Sequence, residues 1–410
     1  MRVAFLGCGF VADYYATTLA NHPELQVVGV HDSNAERARR FAASRGVDRV
    51  YAGFQDLLDD DAVDLVLNLT DVASHNETTR ACLLAGKHVY SEKPLATTFD
   101  QSEALVQLAE ERGLSLSAAP CSLLGEAAQT TWKALRDGLP GDVRLIYAEL
   151  DEGPIVRRDF RAWTSRSGVP WPFATEFETG VALEHVAYVV SWLVAFFGPV
   201  KRVTAFASLL APDKAPEVPS ARMGPDFTVS CLEFASGQVA RVTCGYIAEH
   251  DQRLRIFGEH GVLSCRDVWK YDSPVFFEPY EDLRRLHHRL LDQVAYHALK
   301  RHRHQLPVVR EAAFESEGTL TMDFARGVAE QAAAIREGRP SRLSARFSLH
   351  VNEVVLAMQP RPGTDPVQTI GSTCAPVEPM PWAVGLPALQ AGGRPFDWPS
   401  STRPTGSDES

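Results

Sequence analysis

From residue 1 to about 120, short β-branched runs alternate with longer stretches whose apolar residues recur every three or four positions. That alternation predicts βαβ units around a parallel sheet. The strands read as 2–6, 25–31, 64–69, 88–90 and 114–117. Between them a helix is predicted over 34–44, with Asn34 as N-cap and Gly46 as terminator, and another over 98–112, closed by Gly113. After a bridging helix near 126–136 the pattern changes. Strand-like runs at 143–150, 203–209, 227–234, 239–247 and 254–257 follow with mostly short connections, Ser236-Gly237 being a good hairpin turn. They predict a second, antiparallel sheet. An apolar helix at 181–197 and another at 323–337, ending at Gly338 ahead of Pro340, predict helices packed on one face of that sheet.

The predicted class is therefore α/β: a doubly wound parallel sheet over residues 1–121, a second α/β domain over 122–358 and a remainder over 359–410. Ten of the 26 prolines fall in the last 51 residues, so the remainder is expected to be an extended arm or a disordered tail.

Composition narrows the partners. The chain's 410 residues are ample for a sizeable core. Lys plus Arg at 41 against Asp plus Glu at 52 gives a formal charge of −11, which argues against nucleic acid or an anionic membrane as partner and points to a small molecule. Seven scattered cysteines without a Cys-x-x-Cys pair suit a reducing cytoplasm and offer no metal-ligand spacing. The apolar run at 3–6 meets glycines before reaching the length of a signal-peptide core, about 7–15 residues. A longer run at 189–197 is too short to span a bilayer.

The first chemical motif is Gly7-Cys8-Gly9-Phe10-Val11-Ala12, directly after the first strand and opening a helix. Gly7 permits a tight turn, Gly9 lets backbone N–H groups approach a pyrophosphate, and Ala12 allows close helix–strand packing. Asp32, 23 residues after Gly9 at the end of the second strand, is placed to accept hydrogen bonds from an adenosine ribose. Its charge favours NAD over NADP, although Arg37 or Arg39 nearby could assist a 2′-phosphate. Thr70 and Asp71, at the third strand end, are expected to face the cofactor, with His75 as a cofactor-side residue at the following helix start. The second motif, Glu92-Lys93-Pro94, ends a parallel strand, where open α/β sheets place ligands.

Together these residues resemble the glucose-fructose oxidoreductase, inositol dehydrogenase and rhizopine-catabolism family, written Gfo/Idh/MocA. The resemblance covers roughly residues 1–358, carried by the glycine turn, Asp32, the run Ala85-Gly86-Lys87-His88-Val89-Tyr90-Ser91-Glu92-Lys93-Pro94-Leu95, and the segments starting at Asp323 and Ile335. It implies a Rossmann domain followed by a C-terminal α/β domain with an open, largely antiparallel sheet, assembled as a homodimer or homotetramer. It also implies hydride transfer between a nicotinamide and a sugar, cyclitol or related polyol, with Lys93 in the catalytic site. The family's block Asp-x-Gly-x-His-x-x-Asp, aligned on His185, meets Val181, Leu183 and Tyr188 at its other three positions. A second departure lies at Ala119-Pro120-Cys121-Ser122, where many relatives carry a polar segment.

Glu184 and His185 are the titrating pair of an otherwise apolar helix, and burying them unpartnered would cost several kcal/mol. His185 is therefore expected in the cleft as general base, with Glu184 tuning it and Tyr188, one turn on, relaying the proton. Lys93 would polarise the reacting oxygen. A loop with four arginines and two tryptophans between 157 and 171 offers Arg157, Arg158, Trp163 and Trp171 as a clamp for a nucleotide-sugar or sugar acid. His287, His288, His297, His302 and His304 lie in an Arg-rich stretch that reads as a solvated or interface face. Two other readings stand beside the dehydrogenase: a redox-neutral glycosidase or epimerase with retained NAD, and a non-catalytic NAD-binding regulator.

Overall fold

The computed structural model describes residues 1–280, 303–310, 314–316, 321–360 and 363–384. Its N-terminal part runs β1 (Arg2–Leu6), α1 (Ala12–Thr18), β2 (Gln26–His31), α2 (Ala35–Arg45), α3 (Phe54–Leu58), β3 (Leu65–Asn68), α4 (His75–Leu84), β4 (His88–Ser91), α5 (Phe99–Arg112) and β5 (Leu116–Ala118). The sheet order is β2-β1-β3-β4-β5, and every pairing is parallel. Helix ends follow the local signals. Asn34 accepts from the Glu36 and Arg37 N–H groups, and α2 stops at Gly46 in the left-handed conformation. The chain moves from β1 to β2 on one side and returns to β3 on the other. That reversal opens a crevice beyond the carboxyl ends of β1 and β3, where the glycine turn and Thr70 sit.

The second part runs α6 (Glu126–Arg136), β6 (Leu145–Asp151), α7 (Phe173–Thr179), α8 (Val181–His185), α9 (Ala187–Phe197), β7 (Val200–Ser208), β8 (Phe227–Phe234), β9 (Val239–Gly245), β10 (Leu254–Phe257), β11 (Gly261–Cys265), β12 (Val275–Pro279), β13 (His304–Gln305), α10 (Arg326–Glu337), α11 (Ala345–Ala357) and β14 (Val367–Thr369). Among the described residues these strands form one sheet in the order β13-β12-β11-β10-β6-β9-β8-β7-β14. It is antiparallel except at its centre, where β6 and β9 pair in parallel. The chain between them passes through three helices and two strands, the long crossover that a parallel pair requires.

One expectation changes. The single helix over 181–197 is two, α8 and α9, joined at Val186, where the Val189 N–H bonds the Val186 carbonyl in a tightened turn. Of the two readings of the proline-rich remainder, the described residues 363–384 take the form of an arm. β14 extends the sheet at β7, Ile370 and Ala383 are buried, and the Met380 N–H donates to Gln129. Of the histidine cluster, His304 lies on the edge strand β13, and His287, His288, His297 and His302 fall outside the described residues.

The two parts are joined by α11, which packs on α5 and β5 of the first and on α9 and β7 of the second. Its Asn352 accepts from the Leu95 N–H at 3.0 Å and donates to the Ala96 carbonyl at 3.1 Å. The loop that carries Lys93 is thus fixed from the far side of the molecule.

Candidate active site

A cleft of about 1150 Å³ runs from the glycine turn to α7 and α8. At its cofactor end Gly7 has φ +98°, and a Cβ there would lie 2.5 Å from the Leu69 carbonyl oxygen. Only glycine fits. Gly9 differs, because the space where its Cβ would point is empty to 4 Å, leaving room for a ligand to approach the backbone. Phe10 and Val11 line the same end.

Asp32 does not stand free. Its carboxylate accepts from the Cys8 N–H at 2.8 Å, the Asn34 N–H at 2.7 Å and both arms of the Arg37 guanidinium at 2.8 and 2.7 Å. Burial opposes its charge, but these donors hold its pKa below the ordinary value. Four donors occupy the carboxylate, so it stabilises the turn and orients Arg37, whose guanidinium faces the cleft.

Thr70 donates to Asn68 Oδ1 at 2.8 Å, and Asp71 is exposed on the rim. His75 is buried, its ring nitrogens 2.7 and 2.9 Å from the Pro94 and Thr70 carbonyl oxygens, so it ties two loops of the cleft together. Glu92 is held in the same manner, accepting from Tyr15 Oη at 2.7 Å and from the Lys93 N–H at 3.0 Å. Both line the cleft as fixed parts of its wall.

Beyond this wall Lys93 Nζ donates to Glu184 Oε2 at 2.5 Å. Burial works against the ammonium, yet Glu184 and then Glu176 outweigh it and raise the Lys93 pKa. The expected Glu184–His185 partnership is replaced by two separate pairs. His185 Nε2 sits 2.9 Å from Tyr246 Oη, its ring stacks on Trp269, and its buried Nδ1 has no hydrogen bond, with Glu152 Oε1 3.5 Å away. Successive residues on a short helix point in different directions, so Glu184 turns to Lys93 and His185 turns to the sheet. Burial, then Lys93, pushes the His185 pKa well below its ordinary value, so its ring is neutral at pH 7. Tyr188 stacks on the same Trp269 with ring centroids 4.3 Å apart, and burial raises its pKa.

Four groups of this end carried no sequence signal: Glu152, Glu176, Tyr246 and Trp269. Glu176, on α7, lines the same end of the cleft, and burial followed by the Glu184 charge raises its pKa far above a normal carboxyl. Burial likewise pushes Glu152 up to about 7, while Gln252 donates to it at 2.8 Å. Three acids and one ammonium thus share this end, and two of the acids favour the protonated form.

The Arg- and Trp-rich loop divides. Trp163 and Trp171 line the cleft with ring centroids 5.0 Å apart, and Arg158 joins them, its guanidinium donating to the Glu152 carbonyl at 2.5 Å. Arg157 is exposed and outside the cleft, because it ends a turn whose buried side is Ile155. Arg161 is also turned away, paired with Glu217. Ser122, in the second departing segment, faces inward, accepting from Trp192 at 3.1 Å and donating to the Tyr188 carbonyl at 3.0 Å.

Comparison with known proteins decides the family. Residues 1–119 match the oxidoreductase family model with an NAD-binding Rossmann fold, and residues 128–264 match the GFO/IDH/MocA C-terminal domain. The chain belongs to the Gfo/Idh/MocA oxidoreductase family. Among its relatives, the dTDP-3,4-didehydro-2,6-dideoxy-α-D-glucose 3-reductase of Streptomyces antibioticus is 38% identical over 162 residues, 39% of this chain and 49% of that protein. The match therefore spans about half of that relative. The mouse (Mus musculus) trans-1,2-dihydrobenzene-1,2-diol dehydrogenase is 25% identical over 273 residues, 66% of this chain and 75% of its own. A 3-ketoreductase from Actinomadura kijaniata, solved with NADP and TDP-benzene, superposes with a TM-score of 0.65 at 23% identity over 87% of this chain and 96% of that one, which shows a common fold. No helix among the described residues is long and apolar enough to cross a membrane.

Proposed function

We propose that this Gfo/Idh/MocA protein transfers hydride between a nicotinamide dinucleotide and a ketone or secondary alcohol of a nucleotide-sugar. One observation carries the reading: the Lys93 ammonium, fixed by Glu184, stands in the same cleft as the Gly7–Gly9 turn. The open space at Gly9 fits a pyrophosphate, and Gly7, Gly9, Phe10, Val11 and Thr70 would hold the dinucleotide. Bound there, the nicotinamide supplies or accepts the hydride. Arg37, free on its outer side, suits a 2′-phosphate, so NADP is admitted alongside NAD.

Lys93 hydrogen-bonds the substrate oxygen and stabilises alkoxide charge as it develops. Tyr188 and neutral His185 flank that position, His185 as the base that takes the hydroxyl proton in oxidation. In the reductive direction the same His185 nitrogen returns that proton to the oxygen, while Glu176, which favours its protonated form beside Glu184, limits the negative charge around Lys93. Arg158 with Trp163 and Trp171 gives the mouth a cation and two aromatic faces, a match for a diphosphate and a base. The relatives that act on or were solved with TDP compounds point to the same class.

The test is consumption of NADH and NADPH with a panel of keto-sugar nucleotides, and reduction of NAD and NADP with free sugars, nucleotide-sugars and cyclitols. No turnover with any member, or unchanged turnover in Lys93→Ala, would refute the reading. The free cysteines among the described residues suit a reducing, cytoplasmic setting. A homodimer or homotetramer is proposed through the open sheet face, where Phe206 is 58% exposed, with light scattering as the check.

A further inference from the structure

The loop that lines the substrate mouth belongs to the second part of the chain but is fastened to the first. Residues 163–171 form a hairpin: Thr164 bridges Pro170, the Trp171 N–H bonds the Trp163 carbonyl at 2.9 Å, and the Ser165 N–H bonds the Val169 carbonyl at 2.8 Å. Its tip turns at Gly168, φ +78°. At that tip Ser167 donates twice to Asp13 Oδ2, from its N–H at 2.9 Å and from its hydroxyl at 2.6 Å. Asp13 lies on the first turn of α1, six residues after Gly7, and is wholly buried. Its other oxygen accepts from Arg45 Nε at 2.9 Å, and Arg45 also donates to Thr17 at 2.9 Å. Burial opposes the charge, but Ser165, Ser167 and Arg45 hold the carboxyl below its usual range, so it is an anion at neutral pH.

The consequence is topological. Trp163, Thr164, Val169, Pro170 and Trp171 line the same cleft as Gly9 and Val11, and the hairpin tip is tied to the helix that the glycine turn opens. Its outer end is held by a single buried anion.

We propose that Asp13 is a positioning residue that latches the hairpin across the cofactor end of the cleft, so that a dinucleotide is retained until the Asp13–Ser167 contact opens. Resting on the dinucleotide reading above, the latch fixes the two tryptophans and the cofactor wall together, and substrate meets a cofactor already enclosed. Retention of this kind is what a redox-neutral cycle requires, and it makes cofactor exchange slower than a bare glycine turn would allow.

Ser167→Ala is the informative variant, because it removes one bond at an accessible tip and leaves the Asp13–Arg45 pair intact. NADP and NAD release are measured by displacement in stopped flow, and amide exchange of 163–171 is followed in the cofactor-free protein. Loss of one hydrogen bond to a charged group predicts release about tenfold faster, with faster exchange confined to the hairpin and both effects reversed in Ser167→Thr. Release within twofold of the parent, or unaltered hairpin exchange, overturns the latch. Should the parent bind neither dinucleotide, the functional reading fails, and the exchange of the hairpin alone decides whether Asp13 positions it.

Discussion

Replacing Glu152 by Gln should make the protein more stable as pH rises. Glu152 follows β6, its side chain is 17% exposed, and burial pushes its pKa from 4.5 to about 7. A raised carboxyl binds its proton more tightly in the folded than in the unfolded chain. Its contribution is therefore complete below about pH 4.5 and is lost as pH climbs through about 7. The difference of 7 − 4.5 is about 2.5, and about 1.4 kcal/mol for each makes about 3.5 kcal/mol the limit of the effect. Glutamine keeps an oxygen for Gln252 Nε2, now at 2.8 Å, and carries no proton to lose. Urea unfolding of parent and variant from pH 5 to 8.5 should show similar midpoints at the acid end and a variant advantage that grows toward about 3 kcal/mol by pH 8. Titrating groups remote from Glu152 cancel in the difference. Parallel profiles over the whole range would refute the claim that Glu152 is protonated by its surroundings.

Lys93→Ala should lower turnover by about 100- to 1000-fold, the usual loss for a donor aimed at developing oxygen charge, with cofactor affinity changed only a few-fold in equilibrium titration. Arg158→Ala should raise KM for a diphosphate-bearing substrate about tenfold, while Arg157→Ala leaves it alone; equal effects would remove the clamp as drawn here. Arg37→Ala should weaken NADP more than NAD by about tenfold in competition binding, since it deletes the cation that offsets Asp32. An unchanged ratio would take Arg37 out of cofactor choice. For His185, whose folded pKa is depressed, stability is present above about pH 6.5 and falls on acidification; His185→Gln should flatten that acid loss in thermal unfolding, and an unaltered slope would place the loss elsewhere.

Local signals in the sequence carried far. The helix caps at Asn34 and Gly46, the tight turn at Gly7 and the strand alternation of the first 120 residues each depend on neighbours within a few positions, and each appears as read. The strands β11 and β12 and the helix α11 were not foreseen, and the helix at 181–197 split, because a run of apolar residues declares burial without declaring the direction of its axis. The proline-rich remainder was read from composition, which carries no information about the sheet edge that β14 found.

The site shows the same division. Lys93 and His185 could be named from short motifs, but the partner of Lys93 is 91 residues away and the wall behind His185 comes from Trp269 and Tyr246. Contacts of that kind leave no periodicity in the chain. The sequence by itself determined which residues can bear charge, turn tightly or face a core, since those are properties of single residues and their immediate neighbours. Only the tertiary structure decided that Glu184 serves Lys93 rather than His185, that Glu152 and Glu176 are pressed toward neutrality, and that Asp13 holds a hairpin from the other half of the chain. The physical reason is that charge states and pairings are set by desolvation and by distance in space, and both come into being when the chain folds.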